Sequence, residues 1–126
     1  MTQAVRDFER SFTTGATTLI AKQYYIVKQH TDGTAILAAA GTDALLGVLQ
    51  NKPAVGAAAL VRFNGTTKVI SGGTISVGAW VTSHTDGTAI ATTTDKNVVL
   101  GKFLGTASAA AGDVIEVQLG IFTLSV

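Results

Sequence analysis

The heptapeptide His30-Thr31-Asp32-Gly33-Thr34-Ala35-Ile36 recurs letter for letter as His84-Thr85-Asp86-Gly87-Thr88-Ala89-Ile90. In a chain of 126 residues such a coincidence is negligible by chance, and the correspondence extends beyond the heptapeptide. Val27 matches Val81, and Leu45-Leu46-Gly47 matches Val99-Leu100-Gly101. After a slip of two residues, Gly56 matches Gly112 and Val61 matches Val117. The chain therefore reads as two copies of one supersecondary unit, over about residues 13–64 and 66–122. Stacked solenoids need about three repeats to be stable, so a single small barrel or sandwich is expected instead.

Asp32-Gly33 and Asp86-Gly87 supply the positive-φ position of a tight turn. The first turn lies between the apolar runs Tyr24-Tyr25-Ile26-Val27 and Ala35-Ile36-Leu37-Ala38, so each copy should contain a hairpin. A four-residue loop pairs Val27 with Ile36, and Val81 with Ile90. Gly47 and Gly101 interrupt matching strands, as glycines do where a sheet bends or bulges. Asn64-Gly65 sits between apolar runs and predicts a further hairpin, pairing the last strand of copy one with Lys68-Val69-Ile70. The two copies would then share one core, with Phe63, Trp80, Phe103 and Phe122 as candidate members. No helical periodicity persists beyond the N-terminus, so the fold class is all-β, one duplicated domain over residues 17–126.

Residues 1–16 differ from the rest. They carry Arg6, Asp7, Glu9 and Arg10, with Val5, Phe8 and Phe12 at the spacing of a short amphipathic helical turn. Two readings stand: a frayed terminus, or an arm that orders on docking, with Val5, Phe8 and Phe12 as its apolar anchors. The four charges occupy the place where a secretory signal needs its apolar stretch.

Composition narrows the function. Charged residues make up 13% of the chain, about half of the roughly 25% usual in soluble domains. Such a surface loses little ionic hydration when it meets another protein, so it suits either an ordinary neutral β domain or a subunit buried in an assembly. A net charge of +1 without a basic stripe argues against nucleic-acid binding. No run approaches about 18 apolar residues, so no helical membrane span is expected. The chain has no cysteine, and no serine stands in a nucleophile-elbow pattern. Thr74-Ile75-Ser76-Val77-Gly78 lacks the first glycine of that pattern, and Gly101-Lys102 lacks the rest of a phosphate-binding loop. His30 with Asp32, and His84 with Asp86, offer two ligands each where zinc takes four; turn chemistry accounts for them. No metal, cofactor, small-molecule substrate or catalysis is expected.

Several stretches resemble the head decoration, or capsid cement, proteins of tailed bacteriophages. They are Leu46-Gly47-Val48-Leu49-Gln50-Asn51-Lys52-Pro53-Ala54-Val55-Gly56, the run from Lys68 through Trp80 to Thr82, and Ala109-Ala110-Ala111-Gly112-Asp113-Val114-Ile115-Glu116-Val117. The similarity spans about residues 20–120. It implies a β subunit, usually a homotrimer, made in the host cytoplasm and seated on the capsid exterior, where it binds the major capsid protein and reinforces capsomer junctions. The alternative is a tail or fibre module that binds carbohydrate.

Overall fold

The computed structural model describes residues 9–106 and 108–125. They form ten strands: β1 (Glu9–Thr13), β2 (Ile26–Gln29), β3 (Ala35–Leu37), β4 (Leu45–Leu49), β5 (Ala58–Arg62), β6 (Gly65–Ile70), β7 (Trp80–Ser83), β8 (Ala89–Ala91), β9 (Val98–Phe103) and β10 (Val114–Thr123). Two five-stranded sheets result, in the orders β1-β5-β4-β2-β3 and β6-β10-β9-β7-β8, with every strand pairing antiparallel. The second order is the first with each strand replaced by its repeat counterpart, so each sheet is one copy of the duplicated unit. The architecture is all-β, a single small domain of two sheets with no closed barrel.

Each copy curls around its own apolar set. In copy one this set is Leu19, Val27, Ala35, Leu49, Ala59 and Val61. The corresponding residues of copy two are Ile75, Val81, Ala89, Phe103, Ile115 and Val117, all buried. The copies then share a second layer: Ile26, Ala38, Leu45 and Val48 of copy one belong to the same continuous cluster as the copy-two set. Alternation makes this possible, because Ile26 and Val27 point to opposite faces of one strand and each face is covered.

Close approach explains the paired glycines. A Cβ on Gly47 would lie 2.2 Å from the Arg62 carbonyl oxygen, and one on Gly101 would lie 2.0 Å from that of Gln118. At Gly47 the register between β2 and β4 also shifts, with Val27 opposite Gly47 but Lys28 opposite Leu45. A bulge is present, as the glycine predicts.

Three expectations are corrected. The repeated hairpin is one residue out of the expected register: Val27 faces Leu37, and Val81 faces Ala91. The Gly33 amide donates to the His30 carbonyl and the His30 amide to the Thr34 carbonyl, at 2.9 and 2.8 Å, while Gly33 takes φ +86°. That is a three-residue loop closing on a glycine bulge, which uses one residue fewer than the loop expected. Asn64-Gly65 does not make a hairpin. Both edges of β5 are taken, by β1 and β4, so the chain crosses to the other sheet and β6 pairs with β10. Finally, the helical turn expected near Phe12 is absent. Glu9–Thr13 is a strand on β5, Glu9 opposite Arg62, with Phe12 half-buried against the copy-one core. Val5 and Phe8 lie outside the described residues.

Candidate functional site

The twin turns are built from local hydrogen bonds. Asp32 Oδ1 accepts from the Thr34 hydroxyl at 2.6 Å and the Thr34 amide at 3.0 Å. These donors hold its carboxyl below the usual carboxylate range, with His30 Nδ1 3.3 Å away adding to the effect. Asp86 repeats the arrangement with Thr88, whose hydroxyl is the main cause of its lowered pKa. The His-x-Asp pairs are thus turn scaffolding. Among the described residues no group of three or more His, Cys, Asp or Glu is placed to hold a metal ion.

Two ion pairs brace copy one. Arg62 donates through Nε and Nη2 to Glu9 Oε2, at 3.0 and 2.7 Å, and through Nη1 to the Thr66 carbonyl at 2.9 Å. One guanidinium therefore ties edge strand β1 to β5 and to the start of β6. Lys28 Nζ lies 3.0 Å from Asp43 Oδ2. Burial pushes the Asp43 carboxyl up, but the Ala39 amide and Lys28 outweigh it and leave the pKa lowered.

An open cleft of about 380 Å³ follows the seam between the copies, lined by Tyr24, Gln50, Arg62, Thr67, Lys68 and Glu116 among others. Its polar groups are occupied with structure: Gln50 Nε2 donates to Thr67 Oγ1 at 2.8 Å and to the Val48 carbonyl at 3.0 Å. Lined by residues of both copies, it reads as a joint between sheets.

The exposed apolar surface is the more informative feature. Trp80, 41% exposed, stacks edge-to-face on Phe122, 39% exposed, with ring centroids 5.2 Å apart. Val77 and Ile121 are also exposed. Of the four aromatics expected in the core only Phe103 is buried; Phe63 is half-buried, and Trp80 and Phe122 face out. Large aromatics on a neutral surface are the side chains protein interfaces favour. Pattern reasoning misplaced Trp80 because its neighbours alternate as core residues do, while its own side chain lies partly exposed beside Phe122. Of the other residues singled out in the sequence, Asn64 Oδ1 accepts from the Gly65 amide at 2.8 Å in the crossover between sheets. Gly33, Gly65 and Gly87 take the positive φ their turns require.

A family model described as phage cement protein matches residues 9–119, nearly the whole β body. No curated sequence matches the chain. Among solved structures, the crystal structure of the head fiber gp8.5 N base of bacteriophage phi29 superposes with a TM-score of 0.69 at 23% identity, covering 94% of this chain and 99% of that one. That likeness is one of fold.

Proposed function

This chain belongs to the phage cement protein family, and from that membership we propose how it acts. It is a structural protein of the virion that binds the capsid. In our reading it sits on the capsid exterior as a homotrimer, contacts the major capsid protein and reinforces the junctions between capsomers. It is made in the host cytoplasm and joins the shell by surface complementarity, without performing a reaction.

The match of the cement family across residues 9–119 carries this reading. The molecule supplies what bridging requires: an ion-poor surface, paired sheets with a continuous core, and exposed aromatics. Residues 1–8, with Val5 and Phe8 as anchors, are proposed to extend the contact to the shell. Phe12 differs from them, since it packs on the subunit's own core.

The test adds purified protein to shells that lack it. Saturable binding at a fixed stoichiometry, with shells made more resistant to heat or low ionic strength, is expected. Deletion of residues 1–8 should weaken binding and leave the circular dichroism spectrum unchanged. An absence of saturable binding by the full chain would overturn the proposal.

A further inference from the structure

The two copies are alike in sequence and pairing but not in burial. Ile26 and Val48 of copy one are fully buried, whereas their counterparts Trp80 and Lys102 are exposed. On the opposite side the order reverses. Gly87 of copy two is buried and Ile70 half-buried, whereas their counterparts Gly33 and Thr13 are exposed. Copy one thus contributes one kind of face to the junction and copy two the other.

The backbone shows the same asymmetry. At the junction, the Ile26 amide donates to the Gly87 carbonyl at 2.7 Å, and the Ile70 amide donates to the Tyr24 carbonyl at 3.0 Å. Repeat equivalence turns these pairs into Trp80 with Gly33, and Thr13 with Gly78. Tyr24 and Gly78 even share the left-handed conformation, φ 69° and 79°. Neither equivalent bond forms within the chain. The Ala79 carbonyl accepts from the Phe103 amide, so the following Trp80 amide points away from β9, and the Gly33 carbonyl receives the exposed Gln29 side chain. The Thr14 amide bonds to Ala57 of the loop leading into β5, so the preceding Thr13 amide points away from that strand.

We infer that subunits join head to tail through a contact that repeats their own internal junction. The Gly33 carbonyl of one subunit accepts from the Trp80 amide of the next, and the Thr13 amide donates to the Gly78 carbonyl. The occupant of each face is a second copy of this chain, because the buried junction between the sheets already shows how the two faces fit. The faces differ, so the contact is heterologous and continues from subunit to subunit until a ring closes. Lys102 in place of Val48 makes the outward version more polar, as suits a face that is wet before assembly. The number that closes the ring, three, rests on the capsid-bound homotrimer proposed above.

The absence of native cysteine makes the contact directly testable. A Cβ on Gly87 would lie 2.8 Å from Leu37 Cγ, so cysteines at these two positions are within disulfide reach. Leu37→Cys with Gly87→Cys should close a bond inside one chain, which checks the geometry. The outward counterpart, Gly33→Cys with Ala91→Cys, should give reducible bands of two and three chains on a non-reducing gel, in solution or on saturated shells. Trp80→Lys, which replaces an exposed side chain, should reduce the sedimenting species to the 12.9 kDa subunit with unchanged circular dichroism. The inference is overturned if the outward pair stays single-chain under both conditions while the inner pair closes, or if the product stops at two chains. Linked rings that ignore shells would instead sink the capsid-binding proposal and leave this contact standing.

Discussion

The Ile26 amide donates to the Gly87 carbonyl at 2.7 Å, across the junction between the two sheets. The turn bearing Gly87 is identical in sequence to the one bearing Gly33, yet only the former is covered. A Cβ at Gly87 would meet Leu37 at 2.8 Å and the Ile26 carbonyl at 3.1 Å, while one at Gly33 would come no closer than 3.9 Å to Gln29. Gly87→Ala should therefore destabilise the fold by about 2–3 kcal/mol, combining crowding with positive-φ strain. Gly33→Ala should cost about 1 kcal/mol, from the backbone conformation alone. Urea denaturation of the two variants at one protein concentration checks the difference.

The glycines inside β4 and β9 should tolerate nothing larger. Gly47→Ala and Gly101→Ala each place a methyl group against a neighbouring strand's carbonyl, where only backbone movement relieves the clash. A loss of about 3 kcal/mol or more is expected for either. Purification of a soluble, cooperatively unfolding Gly101→Ala protein at near wild-type stability would contradict this.

Acid should weaken the fold through the carboxylates of the turns. Asp32, Asp43 and Asp86 all have lowered folded-state pKa values. A depressed folded pKa means that the unfolded chain binds protons first, so the contribution is complete above the unfolded value of about 3.9 and disappears as pH falls through the folded pKa. Stability should be flat from neutral pH down to about 5 and then fall. Asp86→Asn combined with Asp43→Asn should flatten that decline, measured by thermal unfolding across the acid range.

Arg62 holds β1 in place. Arg62→Ala should cost about 0.5–1 kcal/mol for a pair that is about a third exposed, less at high salt. The loss should appear first as faster hydrogen exchange of β1 amides, with β9 and β10 protected as before. Uniform loss of protection across both sheets would show that the pair braces the whole fold.

The duplication and both glycine turns were legible because turn chemistry is local: Asp32 and Thr34 meet within two residues of each other. The strand character around Gly47 and Gly101 followed from the matching apolar runs of the two copies. The route of the chain at Asn64-Gly65 did not follow. A turn signal says that the chain reverses, but not whether the preceding strand has an edge left to offer, and β1 had already taken it. The exposure of Trp80 was likewise hidden. Repeat equivalence pairs it with Ile26, but which copy covers the other is set by a junction that uses each face once.

The crossover from Arg62 to Gly65 has a consequence for how firmly the sheets are held. Only Phe63 and Asn64 separate β5 from β6, so the two halves face each other at a high effective concentration that dilution does not lower. A joint of similar pattern made between separate chains has no such tether, and its occupancy falls as the solution is thinned. Near-identical pieces of structure would thus be permanent in one place and reversible in the other, and a crowded surface that gathers subunits together would be enough to close the reversible one.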